Sequence, residues 1–292
     1  MKYTLTVLLV LALFTSCKKD NLNKNAMTEK TFTFTAIPDE DATELSKKYD
    51  PVAKYLEAKL GVKVKYIPQK KYSASVSAFK NNDVQLAWFG GLSGVQARQA
   101  VPGSNAIAQG AEDLKFVTYF IANKSTGLTL SDKFPDIAGK TLTFGSKGST
   151  SGRLMPAFYI QKESGKSPDK LCKSIGFSGD HTKTITLVES GSYEIGALNY
   201  SVWDKAVENK TVDTSKVSLI WKTPTYPDYN WTIRGDVDKQ FGDGFQAKVQ
   251  QALLELKDET ILKNFRRSKF IKADNKLYQP ILDTAKKLDL ID

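Results

Sequence analysis

The chain is poor in the residues that build metal centres and covalent crosslinks. Its 292 residues include one histidine, two cysteines and three methionines. That supply excludes a histidine- or cysteine-rich metal site and a disulfide framework. No apolar run reaches the roughly 20 residues that a permanent membrane-spanning helix requires, which excludes a polytopic membrane protein. Internal repeats and low-complexity segments are missing as well. So are the sequence patterns GxxxxGK[ST], GxGxxG and GxSxG, which would mark a nucleotide loop or a hydrolase elbow.

What is present is an ordinary globular composition, 41% hydrophobic and 25% charged. A chain of this length buries a sizeable core and tends to divide it between two lobes. Lysine and arginine number 42 against 32 acids, a formal charge of +10. That sign admits nucleic acid, an anionic membrane surface or a small anion as partner.

Residues 1–16 have one basic residue, Lys2, an apolar run from Leu8 to Phe14, and then the small Thr15 and Ser16. This is the layout of a secretory signal. The stretch 13–17, Leu-Phe-Thr-Ser-Cys, resembles the lipobox of bacterial lipoproteins, with Cys17 the lipidated first residue of the mature chain. Phe14 is bulkier than usual there, and an ordinary signal peptide is the alternative. Residues 17–30 are polar and read as a lipidated N-terminus and tether. Export disfavours nucleic acid as a partner. Cys172, the remaining thiol, is expected to be unpaired.

From Thr31 onward strand patterns alternate with helical ones, the signature of an α/β architecture with mainly parallel sheets. Strands are expected at 31–37, 62–67, 84–89, 116–122, 141–144, 184–187, 194–198 and 217–221. Helices are expected at 45–60, 73–79, 201–208, 245–256 and 278–288, with another opening after Gly152.

The strongest local feature is Gly145-Ser146-Lys147-Gly148-Ser149-Thr150-Ser151-Gly152, between a strand and a helix. Free backbone N–H groups, the helix dipole and three hydroxyls together make an anion site there. A plain helix cap by Ser149 or Thr150 explains the same residues equally well. His181, the lone histidine, lies in a polar loop and reads more readily as a structural group or a ligand donor than as a catalytic base. The aromatic and proline-rich stretch 221–231 either walls a cleft or packs a crossover between lobes.

Taken in order, Lys71-Tyr72-Ser73-Ala74, the run 83–90 (DVQLAWFG), the run 149–156 (STSGRLMP), Ser178-Gly179-Asp180-His181, the run 196–199 and the run 221–224 resemble the phosphonate/phosphite-type substrate-binding proteins of ABC importers. The resemblance covers roughly residues 31–270. IPDE at 37–40 and DYNWT at 228–232 are similar to a subgroup assigned to selenate or other oxyanions.

The resemblance implies a two-lobed type 2 periplasmic-binding-protein fold, with lobe 1 at 31–122 plus 228–292, lobe 2 at 123–227, and the ligand between them. It implies that Ser149, Thr150 and Ser151 grip a small tetrahedral oxyanion, with Tyr72 and His181 donating from opposite sides. Trp88, Asn199, Tyr226 and Tyr229 would line the walls. Thr43 and Glu44 would border the cleft, with Glu44 accepting a hydrogen from a protonated ligand oxygen. Family members that bind aminophosphonates carry carboxylates where this chain has Ser201 and Tyr229, so an unpaired ligand ammonium is disfavoured, although Asp228 is adjacent. The implied partner is an ABC permease, for a single copy anchored at the periplasmic face of the envelope. No cofactor, metal or catalytic residue is expected. The competing roles are a ligand-sensing subunit of a sensor kinase and a Ser/His hydrolase.

Overall fold

The structure is a computed structural model that describes residues 30–291; the signal segment, Cys17 and nearly all of the tether fall outside them. Among the described residues eleven strands form two sheets. The strands are β1 (Phe32–Ala36), β2 (Val64–Tyr66), β3 (Leu86–Phe89), β4 (Asn105–Gly110), β5 (Thr118–Asn123) and β6 (Thr141–Phe144). They continue with β7 (Ser174–Phe177), β8 (Ile195–Asn199), β9 (Val217–Lys222), β10 (Asn230–Ile233) and β11 (Phe270–Lys272). One sheet has the order β11-β4-β10-β3-β1-β2 and the other β7-β6-β8-β5-β9.

Helices cover both sheets, which explains why β3 (LAWF), β8 (IGALN) and β10 (NWTI) bury every residue. A strand covered on both faces reads as a continuous apolar run. The helices that matter for the site are α1 (Ala42–Leu60), α2 (Tyr72–Lys80) and α3 (Gly91–Ala100) on the first lobe. On the second they are α4 (Met155–Ser164), entered through a π turn at Thr150–Leu154, then α5 (Pro168–Leu171), α6 (His181–Glu189) and α7 (Tyr200–Glu208). Among the described residues no helix is long and apolar enough to cross a membrane.

The sheets are mixed rather than mainly parallel, and the reason is local. β1, β2 and β3 pair in parallel, as do β6, β7 and β8. The second sheet then admits one reversed strand, β5, and the first sheet two, β10 and the edge strand β11, which pairs antiparallel with β4. β10 inserts antiparallel between β3 and β4, and β5 inserts antiparallel between β8 and β9. The strand expected at 116–122 as the end of lobe 1 therefore lies in the second sheet as β5. Strands β4, β7, β10 and β11 were not expected from the pattern.

The strand expected at 184–187 is the middle of α6. Its buried residues are His181, Thr184, Ile185 and Val188, which is helical spacing, and the Asp180 side chain caps it by accepting from the Lys183 amide at 2.7 Å. The β-branched content of TKTITLV suggests a strand, but the cap and the buried stripe prevail. Cys172 is free and buried, and burial pushes its thiol up to about 11.

Candidate functional site

Four chain segments converge at the C-terminal ends of strands, where α/β sheets place their ligands. They are the loop after β1, the start of α3 after β3, the turn after β6, and the start of α7 after β8. A glycine lets the turn after β6 and the start of α6 come close. A Cβ on Gly152 would meet Ser149 Oγ at 3.0 Å, Gly145 Cα at 3.1 Å and His181 Cε1 at 3.1 Å. The histidine ring therefore packs directly on the STSG turn.

Within that turn the Ser149 hydroxyl accepts from the Gly152 amide at 2.9 Å, and the Gly145 amide donates to the Gly152 carbonyl at 2.8 Å. The amides of Thr150 and Ser151 open the helix and have no intrahelical acceptor. Ser149, Thr150 and Ser151 are all buried. The capping role and the donor array thus coexist in one turn.

His181 is fully buried, and burial holds its pKa below the ordinary value even though Asp39 and Asp180 pull it upward. Its Nδ1 accepts from the Asn199 amide at 3.3 Å, so the neutral ring carries its proton on Nε2. Nε2 has no partner in the protein. The Tyr72 hydroxyl is likewise buried and lies beside the Ser149 hydroxyl without a well-formed hydrogen bond, and burial keeps it protonated, well above the usual tyrosine range. Buried polar groups are almost always satisfied. Among the described residues several buried side-chain atoms lack a partner, but these two are donors, one from each lobe, that meet beside the STSG turn, and that convergence points to a ligand.

The remaining expected residues divide by what they touch. Thr150 Oγ1 accepts from the Leu92 amide at 3.0 Å and lies against Asp228, so it joins the lobes while its own O–H stays a donor. Asn199 caps α7 through the Ser201 amide and donates to the Tyr229 hydroxyl at 3.1 Å. Tyr229 in turn donates to Asp39 Oδ2 at 2.8 Å. Trp88 stacks on Tyr229 with ring centroids 5.6 Å apart, so it backs that tyrosine from within the core. Tyr226 shares a 2.6 Å hydrogen bond with Thr118 in the crossover.

Two expected residues are not brought to the turn. Thr43 is exposed on α1, and Glu44 is committed to Lys47 at 2.8 Å and Lys205 at 2.7 Å. The acidic group that does sit beside Tyr72 and His181 is Asp39, which sequence reasoning passed over. The run 39–41 (Asp-Glu-Asp) suggests a solvated loop or a cap, and Asp41 does cap α1. Asp39 and Glu40, however, are buried.

Outside the buried cluster a cleft of roughly 900 Å³ opens between the lobes, lined by Lys70, Lys71, Lys147 and Lys183 among others. Contacts across it are numerous. Ser93 donates to the Gly148 carbonyl at 2.8 Å, the His181 amide to the Asp39 carbonyl at 3.0 Å, and Arg266 pairs with Glu208 at 2.8 Å. No carboxylate orients His181 through Nδ1, so the relay of a Ser/His hydrolase is not assembled. Among the described residues no group of three or more His, Cys, Asp or Glu side chains could hold a metal ion.

Comparison with known proteins agrees with this geometry. Residues 34–278 match the family described as ABC transporter, phosphonate, periplasmic substrate-binding protein. A relative from Prochlorococcus marinus (strain MIT 9301), the probable ABC transporter phosphite binding protein PhnD1, is 40% identical over 264 residues, covering 88% of this chain and 89% of its own. The solved structure of PhnD1 in complex with methylphosphonate superimposes with a TM-score of 0.85 at 39% identity, over 90% of this chain and 100% of that one. A binding protein component of a phosphonate ABC transporter from Pseudomonas aeruginosa shares the fold at 20% identity, with a TM-score of 0.76 over 88% of this chain and 85% of that one. The matched stretch contains both sheets' crossovers, the STSG turn and His181, and the chain belongs to the periplasmic substrate-binding proteins of phosphonate-type ABC transporters.

Proposed function

We propose that this protein is the solute-binding component of an ABC importer and captures a small tetrahedral oxyanion, phosphite or a short phosphonate such as methylphosphonate, between its two lobes. The observation that carries this reading is the pair of buried, unpartnered donors, Tyr72 Oη and His181 Nε2, set on either side of a helix-opening turn. Ser149 and the amides of Thr150 and Ser151 supply further donors from the turn. Neutral donors suit an anion that must later be released, because they bind it without a full countercharge. Closure excludes water and so strengthens each hydrogen bond to the charged ligand.

No bond is made or broken in this role. The overall positive charge favours the approach of anions, whereas at the cleft mouth four lysines are matched by Glu40, Asp41, Asp180 and Asp289. Cys17 would carry the lipid anchor that keeps a single copy at the envelope beside its permease.

Calorimetric titration with phosphite, methylphosphonate, phosphate, sulfate and selenate tests the reading. Binding of phosphite or methylphosphonate, weakened about tenfold or more by Tyr72→Phe and by His181→Ala, is the expected result. If none of the five binds, or both variants bind as the parent does, the site is misassigned.

A further inference from the structure

Most groups gathered around the STSG turn are donors; two buried carboxylates lie among them, Asp228, which accepts from the Gly91 amide and lies against Thr150, and Asp39. Asp39 follows β1 and is 2% exposed. Its Oδ2 accepts the Tyr229 proton at 2.8 Å, whereas its Oδ1 is buried with no donor at all. Its carbonyl accepts the His181 amide, which ties it to the start of α6. Its charge acts on Tyr72, His181 and Tyr229 around the anion site, and also on the core tyrosines Tyr49 and Tyr66 behind it. Lys48, the buried cation that also feels Asp39, is hydrogen-bonded to Glu40 instead.

A carboxylate oxygen accepts hydrogen bonds and cannot donate them. An oxyanion bound here with no hydrogen of its own would set lone pairs against lone pairs at Oδ1. That arrangement repels in a medium of low dielectric constant. One hydrogen on the ligand reverses the interaction. It satisfies Oδ1, while the ligand's other oxygens take the donors of Tyr72, His181 and the turn.

We propose that Asp39 is a specificity-determining residue: its Oδ1 accepts the hydrogen of a protonated ligand oxygen, so the site takes oxyanions that still carry an acidic hydrogen near neutral pH and rejects sulfonates, sulfate and selenate. This rests on the oxyanion reading above and adds to it the choice among anions of one shape and size. It also moves to Asp39 the part that sequence order suggests for Glu44, whose oxygens are spent on Lys47 and Lys205.

Methylphosphonate and methanesulfonate form the decisive pair. Both are tetrahedral with one methyl group, and both are monoanions when the phosphonate keeps its hydrogen. Titration of the unaltered protein should show methylphosphonate binding about a hundredfold tighter or more, as expected when a buried polar group is left facing the wrong partner. In Asp39→Asn, one oxygen still accepts from Tyr229 while the amide nitrogen donates where Oδ1 stood. The gap should then narrow to about tenfold or less, chiefly because methanesulfonate gains affinity. Asp39→Ser, whose hydroxyl both donates and accepts, should narrow it likewise and serves if the asparagine variant does not fold.

Equal affinity of the unaltered protein for the two ligands overturns the proposal, as does a folded variant that keeps the full gap. Tighter binding of 2-aminoethylphosphonate than of methylphosphonate, lost in Asp39→Asn, overturns it too, because Oδ1 would then pair with an ammonium. If neither phosphite nor methylphosphonate binds, the oxyanion reading itself fails and this inference falls with it.

Discussion

The Lys205 ammonium lies 2.7 Å from Glu40 Oε2, joining α7 of the second lobe to the loop before α1 of the first. A third partner, Glu44, lies at the same 2.7 Å from Lys205. The cluster forms only when the lobes meet, so it acts on release more than on capture. Lys205→Met leaves Glu40 paired with Lys48 and removes the cross-lobe half. Ligand release measured by stopped flow should quicken about three- to tenfold, the worth of a partly buried pair, with little change in association rate. An unchanged release rate would mean the cluster is decorative.

The same cluster makes stability sensitive to acid. Glu40 is held at about 2 from an ordinary 4.5; burial alone would raise it, and Lys48 and Lys205 overcome that. A carboxylate depressed in the folded state stabilises it above the unfolded value and loses that contribution as pH falls through the folded one. Thermal midpoints should therefore decline between about pH 5 and pH 2. Glu40→Gln should show a shallower decline across that window; a parallel curve would assign the acid sensitivity elsewhere.

Gly152 is needed for space, not for backbone freedom, since its Cβ would press on the turn and on the His181 ring together. Gly152→Ala must push His181 away from the turn or open the turn itself. Overpacking of this kind costs about 1–3 kcal/mol. Affinity for the ligand should fall about tenfold or more, with a lowered melting temperature. Retained affinity would show that His181 does not need its seat on the turn.

His181 acts as a neutral donor in this arrangement, and an amide can stand in for it. In His181→Gln the side-chain oxygen can take the Asn199 amide while the nitrogen donates near the Nε2 position. His181→Gln should stay within about tenfold of the parent affinity, and His181→Ala should lose more. Because burial lowers the His181 pKa, the unfolded chain binds the proton better, and the parent loses stability as pH falls below about 6.5. The glutamine variant should lack that component in pH-dependent melts.

How much of this was legible depended on whether the signal was local. Strands β3 and β8 are largely apolar runs, β1 and β6 alternate apolar residues with threonine, and all four end in a turn, so their place in an α/β order follows from pattern alone. The STSG turn is likewise a contiguous stretch. The reversal of β5 and β10 is not legible, because it depends on which sheet receives a crossover strand. Nor is the placing of Thr150, whose hydroxyl oxygen accepts from the amide of Leu92, 58 positions away. Asp39 and Glu44 show the limit most clearly. Both are acids near the first strand, and only the packing of α1 and α7 decides which is buried and which pairs with lysine.

Asp228 offers a last test of the buried interior. Its Oδ1 accepts the Gly91 amide at 2.8 Å, its Oδ2 has no partner, and burial pushes its pKa from 3.8 up to about 7. An acid raised in the folded state favours folding while protonated and costs stability as pH rises from its unfolded value through the folded one. At pH 8 the parent protein therefore carries an ionised, half-satisfied carboxylate. Asp228→Asn keeps an oxygen for Gly91 and removes the charge. It should raise stability by about 1–3 kcal/mol at pH 8 and by clearly less at pH 5. Denaturant melts at the two values decide it: equal gains at both would mean that the charge of Asp228 is not what burial opposes, and a loss at pH 8 would mean that the ionised form has a partner when the protein works.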